Sequence, residues 1–456
     1  VAAFASIVAN TFATGLANAT PESNLANQRT AMISMLFILV AIIYGFVTRG
    51  REIPLAANVI SAIVIIVALV AIGYNFPLIS LDYTTWMILL GIYILVASVA
   101  PVWILLQPRD YLSSYLLYGM IALAIIGIIG ASLTGDAANL AMPAFTDFTV
   151  TNIAVDPSGN PIINPDTGAA VVNKSAASGF LFPALFITIA CGAISGFHSL
   201  VASGTTSKQL DSEKNAQPIA YGGMLIECLL AVISLCAVAF VWTTYQAGGY
   251  ASPTAVFAGG LSQMLACIPG LSGVQGIAYT LLILAVSAFC LTSLDTATRL
   301  ARYMFQELWI PTGQNQHNLT GWRAVLGNAY VATIITVVIG VGLGMTGYTI
   351  IWPLFGAANQ LLAVLALLAV AAWLGNAGKN NKMFYIPMVF MLAVTLTSLC
   401  MTIQQKFVAV SAGGDIFAAA IQLVIALFLL VLAVILTIKG TKTLINANKE
   451  KKPAQA

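Results

Sequence analysis

Two side chains in this sequence that suit proton chemistry stand inside apolar runs. His198 lies in Phe180–Thr206, FLFPALFITIACGAISGFHSLVASGTT, close to the hydroxyls of Ser195 and Ser199. Glu227 is flanked by Met224, Leu225, Ile226, Cys228 and Leu229. An ionised carboxylate is expensive in such surroundings, so Glu227 is a candidate for binding and releasing a proton, with an imidazole nearby to tune it. Counted from Phe180, His198 falls roughly 27 Å along a straight helix at about 1.5 Å per residue. Glu227 falls roughly 10 Å into the next apolar run by the same rise. If the two helices are antiparallel neighbours, the groups share a depth. The ordinary alternatives are a Glu that caps a helix or bonds a Ser, and a His at the membrane interface.

A third constellation reads CLTSLDTATR over 290–299. Asp295 and Arg299 are four apart with the acid first, the favourable order for an intrahelical pair. Thr292 and Ser293 add hydroxyls, and the whole could hold a cation or a substrate carboxylate; a pinned helix end is the plainer reading. Arg109 follows Pro101 and Pro108 and is a candidate for a substrate carboxylate or a membrane-surface anchor. Pro101 removes a helical hydrogen bond and so releases a carbonyl. Asn359 and Gln360, in WPLFGAANQ, bring amides into an apolar run. Amides there knit helices together more often than they touch substrate. These residues, Glu227, His198 and Asp295 for proton coupling and Ser195, Ser199, Thr292, Ser293, Arg109, Asn359 and Gln360 for substrate or ion, are the candidate site.

The elements that must position them are membrane helices. Of 456 residues, 60% are hydrophobic and 7% charged, against about 25% charged in soluble domains. Windows of about 20 apolar residues mark spans. About twelve are expected, near 1–18, 30–48, 56–74, 84–106, 112–133, 180–204, 220–242, 275–303, 323–345, 348–374, 383–403 and 415–438. With alternating spans, Arg49, Arg51, Arg109, Lys208, Lys214, Arg299, Arg302, Arg323, Lys379, Lys382 and the lysines after Lys439 share one side. The positive-inside rule makes that side the cytoplasm, with both ends of this chain there. The expected organisation is one transmembrane domain over 1–440 and a Lys-rich cytoplasmic tail over 441–456. An outside insert at about 134–178 carries turn residues between β-branched runs and reads as a β-hairpin over Phe148–Asn173. Ser252 followed by Pro253 opens a short helix, expected to lie over an outer vestibule.

Enzyme motifs are missing: there is no H-E-x-x-H, G-x-S-x-G or P-loop. The six cysteines form no C-x-x-C, and no metal site, cofactor or nucleic-acid motif is expected. The lipid bilayer is the one partner that composition implies; oligomeric state is not encoded in any pattern read here.

The same segments resemble the carbon starvation protein family, the CstA-like peptide and pyruvate transporters. The stretches that carry the resemblance are APVWILLQPRDYLSSYL (100–116), LFPALFITIACGAISGFHSLVASGTTSKQL (181–210), AYGGMLIECLLAV (220–232), LTSLDTATRLARYMFQELW (291–309) and IIWPLFGAANQLLA (350–363). The resemblance implies a secondary transporter of the inner membrane that takes up small peptides or pyruvate with protons. The alternatives are a sodium-coupled carrier and a membrane nutrient sensor of the same fold. It also implies an all-α, LeuT-like inverted-repeat fold whose N-terminal helices, with their Gly-rich stretch, are absent here. In such a fold broken helices meet at the midplane; the span ending at Pro101 and the Phe180–Thr206 run are the expected pair.

The charge pattern makes one direct prediction. Reporter fusions after Gln28, Asn173 and Gln405 report outside, and an inside signal from any of them breaks the topology.

Overall fold

The computed structural model describes residues 1–16, 19–51, 53–136, 140, 142–145, 148, 180–247, 249–250, 252–311, 319–411 and 416–449. The expected hairpin over Phe148–Asn173 lies almost wholly outside them. The helices are α1 (Ala2–Phe12), α2 (Pro21–Thr48), α3 (Leu55–Asn75), α4 (Tyr83–Val99), α5 (Leu106–Thr134), α6 (Phe186–Ala190), α7 (Gly196–Gly204), α8 (Ala216–Phe240), α9 (Trp242–Gln246), α10 (Pro253–Ala266), α11 (Gln275–Glu307), α12 (Trp322–Leu326), α13 (Ala329–Gly344), α14 (Tyr348–Asn376), α15 (Tyr385–Ser411) and α16 (Ile416–Lys449).

The expectation of about twelve spans is overturned. Among the described residues, eight helical stretches are long and apolar enough to cross a membrane: Pro21–Thr48, Leu55–Asn75, Leu106–Thr134, Glu213–Phe240, Ser272–Glu307, Ile350–Asn376, Lys382–Val408 and Ala419–Asn446. The other four windows hold shorter apolar helices, Ala2–Phe12, Tyr83–Val99, Leu181–Ala190 and Ala329–Gly344. A hydropathy window counts apolar residues but not the backbone breaks between them. α4 stops before Pro101, which has no N–H to continue the helix. The run after Phe180 is interrupted between Ala190 and Gly196.

The described chain forms two compact units, Val1–Ala144 with Cys228–Tyr348, and Phe145–Glu227 with Thr349–Ala456. In the first unit α11 is the central post, packed on α1, α2, α4, α5, α10 and α13. One core cluster joins Ile33, Phe37, Leu112, Met120, Leu261 and Leu282; another joins Val8, Phe12, Trp86, Leu90, Leu291 and Leu294. The face of α3 that carries Ile60, Val64 and Val67 is exposed, as lipid contact requires.

Local chemistry sets the ends. Thr20 caps α2 by accepting from Ser23 N–H at 3.1 Å, with Pro21 at the first helical position. Asp82 caps α4 through Thr84 and Thr85 N–H. α1 ends on carbonyls that α2 satisfies: Asn27 Nδ2 donates to Ala13 O at 2.8 Å. Tyr83 OH donates to Gly344 O at 2.8 Å and ties α4 to the end of α13.

The short helix after Ser252 forms as α10, with Ser252 Oγ accepting from Ala255 N–H at 3.2 Å. Val256, Ala258, Leu261, Met264 and Leu265 are buried, and it packs between α5 and α11. Gly260 admits it to α8: a Cβ there would stand 2.9 Å from Ala237 Cα and closer still to Ala237 O.

The second unit holds the interrupted run, α14, α15, α16 and the start of α8. A kinked segment, Leu181–Leu185, in which Phe182 is extended, leads into α6, and Ser195 opens α7. Gln422 Nε2 of α16 donates to Ile350 O of α14 at 2.6 Å. α16 runs on to Lys449, so the first residues of the expected tail continue the helix.

Gly260→Val is expected to destabilise by about 1–3 kcal/mol through overpacking against Ala237. Gly342→Ala, where an added Cβ meets nothing within 4 Å, stays within about 0.5 kcal/mol. Thermal unfolding of the purified protein in detergent separates the two; equal effects refute the close packing of α10 on α8.

Candidate functional site

In the first unit a buried ring of polar groups joins α4, α5 and α11. Arg109 is 1% exposed and Asp295 is 0% exposed. Arg109 Nη1 donates to Asp295 Oδ2 at 2.5 Å and to Tyr93 OH. Tyr93 OH in turn donates to Asp295 Oδ2 at 2.7 Å. Arg109 Nη2 reaches Thr292 Oγ1 at 3.2 Å, one turn before Asp295 on α11. Charges taken from water need a partner and hydrogen bonds at close range, and this ring supplies both. Asp295 Oδ1 has no hydrogen-bond partner among the described residues, so the carboxylate keeps coordinating capacity to spare.

The expected pairing of Asp295 with Arg299 therefore gives way to a pair with Arg109. Arg299 turns elsewhere. Its Nη2 donates to Ala97 O at 2.9 Å and Ala100 O at 2.7 Å. Ala97 O is the carbonyl that an N–H at position 101 would have taken in a continuous helix, and Pro101 has none. Arg299 thus satisfies the end of α4 that Pro101 breaks. Arg109 serves neither as a surface anchor nor, in this arrangement, as a free cation. Ser293 is half-buried and makes no hydrogen bond among the described residues.

In the second unit the interruption of Phe180–Thr206 is held by α14. Asn359 Oδ1 accepts from Phe197 N–H at 2.7 Å, and its Nδ2 donates to Ser195 Oγ at 3.1 Å and to Cys191 Sγ at 2.7 Å. Ser195 Oγ also accepts from His198 N–H at 3.4 Å, capping α7. Gly196 lets the two backbones meet: a Cβ there would stand 2.5 Å from Asn359 O and 2.6 Å from Ala363 N. Ser199 turns its Oγ to Gly196 O at 2.6 Å. The helix-knitting role that amides most often play is what Asn359 does here. Gln360, 0% exposed, has neither amide atom bonded among the described residues.

Glu227 is half-buried on α8, with Oε1 3.6 Å from where a Cβ on Gly192 would stand. It faces the interruption. His198 is exposed on the first turn of α7. Among the described residues the two form neither hydrogen bond nor ion pair. Tyr93 went unnoticed in the sequence; its signal was a phenol hydroxyl in the middle of ILLGIYILVASV. No group of three or more metal-ligating side chains exists among the described residues.

Long apolar helices with charges buried among them define a multi-pass membrane protein. The family model for "Carbon starvation protein CstA" matches residues 1–248 and 242–398, and the chain belongs to that family. It is 31% identical to "Peptide transporter CstA" of Helicobacter pylori (strain J99), over 80% of this chain and 60% of the relative. It is 30% identical to "Peptide transporter CstA" of Escherichia coli K12, over 81% of this chain and 60% of the relative. It is also 30% identical to "Pyruvate/proton symporter BtsT" of the same organism, over 70% of this chain and 50% of the relative. The chain thus spans about half to three fifths of the length of these relatives. No solved structure matches.

Breaking a buried ion pair by removing one member costs about 3–5 kcal/mol in soluble proteins. Asp295→Asn and Arg109→Met are each expected to unfold the protein at markedly lower temperature. The double variant with Asp295→Leu recovers much of the loss, whereas Asp295→Asn combined with Arg299→Met does not. Recovery through Arg299 instead of Arg109 contradicts the ring.

Proposed function

We propose that the protein is a secondary active transporter of the plasma membrane that imports small peptides or pyruvate together with protons. Family membership supports transport, and the relatives, peptide transporters and a pyruvate/proton symporter by name, suggest the two substrate classes and the proton. The observation that carries the reading is Glu227. It is an ionisable group within an apolar helix, placed beside the interrupted segment. An ionisable side chain inside a membrane segment is by default a functional-site hypothesis, and such carboxylates recur along proton and ion pathways.

In this reading Glu227 takes a proton with the substrate from outside and releases it inside. His198, on the turn that follows the interruption, receives or supplies that proton at the cytoplasmic side. The hydroxyls of Ser195 and Ser199 and the amide of Gln360 border the same segment and are the candidates for substrate contact. Asp295, locked by Arg109 and Tyr93, is the runner-up proton carrier. The lysines after Lys439 favour both ends of this chain in the cytoplasm.

Glu227→Gln mimics a permanently protonated side chain. The variant is expected to exchange substrate across the membrane in counterflow but to lose accumulation driven by a pH gradient. Normal gradient-driven accumulation removes Glu227 from the role, and accumulation that follows a sodium gradient instead replaces the coupling ion.

A further inference from the structure

A cavity of about 440 Å³ with a mixed polar and apolar lining lies in the first unit, where α2, α10 and α11 begin. That is within the range of small-ligand sites, roughly 300–1,000 Å³. Its walls include Glu22, Arg29, Tyr250, Gln263, Gln275 and Tyr279. Arg29 is half-buried and held in place. Its guanidinium stacks on Tyr74, 3.6 Å from ring centroid to Cζ, and its Nε donates to Tyr74 O at 3.1 Å. The Nη groups have no hydrogen-bond or ion-pair partner among the described residues. A planar fork fixed at its stem with its outer edge unused is the geometry that receives a carboxylate.

Glu22 is exposed, seven residues before Arg29 on the same helix. Seven residues are almost two turns, so both side chains share a face, about 10.5 Å apart along the axis. The acid therefore stands at the mouth and the base deeper in. Gln263 Nε2 donates to Tyr250 OH at 3.1 Å, which orders part of the same cavity's wall. Opposite charges at the two ends of a small cavity match a molecule with a cation at one end and an anion at the other. An extended dipeptide spans at most about 7 Å, and the two side chains reach across the remainder.

We propose that this cavity is a receiving site for short zwitterionic peptides, with the carboxylate on Arg29 and the ammonium on Glu22. The proposal rests on the transporter reading, and it names which of the two substrate classes the chain takes. Pyruvate, with a carboxylate and no cation, engages Arg29 alone and leaves Glu22 without a role.

The test is equilibrium binding of labelled dialanine to the purified protein in lipid nanodiscs, with N-acetyl-dialanine, dialanine amide and pyruvate as competitors. The wild-type protein is expected to prefer dialanine over each competitor by about tenfold or more, the loss of one charge-assisted contact. Arg29→Gln weakens dialanine by a similar factor and erases the preference over the amide. Glu22→Gln, at an exposed position that does not threaten folding, erases only the preference over the N-acetyl form. Unchanged dialanine binding in both variants overturns the site, as does wild-type binding of pyruvate in preference to dialanine. Uptake by the same preparations separates the two levels. If the wild-type protein transports dialanine and the variants bind and transport it equally well, only this site falls. If the wild-type protein transports neither dialanine nor pyruvate, the transporter reading falls with it.

Discussion

The first unit is organised by one interaction, the buried pair of Arg109 and Asp295. Neither side chain can reach water, and each has the other as its nearest opposite charge, with Asp110 a further 3.8 Å contact of Arg109. The pair fixes α5 against α11, and Tyr93, which accepts from one partner and donates to the other, adds α4. Van der Waals packing alone holds apolar helices together weakly in a membrane, since lipid tails are as apolar as the helices. A charge pair with shared hydrogen bonds adds direction and register. It also explains the break in α4: with Asp295 engaged by Arg109, Arg299 is released to cap the carbonyls that Pro101 leaves behind. Remove the ring, and both the central post and the end of α4 lose their partners.

Much of this was legible in the sequence and some was not, for physical reasons. The membrane class followed from charge content and apolar windows, and the N-cap at Ser252 followed from a side chain that accepts from a nearby N–H. The partner of Asp295 was misread because i,i+4 spacing describes one helix, while Arg109 lies 186 positions away and only tertiary packing brings it near. The number of spanning helices was overestimated because apolar content persists through Pro101 and through the Gly–Ser interruption at 191–195, where the backbone does not. Depth of burial was equally hidden for α10. Gly260 is what allows it to press against α8, where a Cβ would meet the backbone of Ala237.

The two units divide the labour suggested by their chemistry. In the first, Tyr93, Arg109, Thr292 and Asp295 hydrogen-bond one another across α4, α5 and α11, which suits a fixed frame. In the second, one Asn side chain holds an interrupted helix by a few hydrogen bonds, and a carboxylate stands beside the gap. Segments held by few contacts are those that open and close at low cost. Glu227 stands beside that segment, its Oε1 3.6 Å from where a Cβ on Gly192 would stand.

The central claim is coupled uptake, and it is tested most directly by the wild-type protein in sealed proteoliposomes. Labelled dialanine and labelled pyruvate are offered in turn, with and without an inward proton gradient. Saturable, uphill accumulation of dialanine that collapses when the gradient is dissipated is the expected result. Downhill equilibration that ignores the gradient, or no entry of either compound, contradicts it.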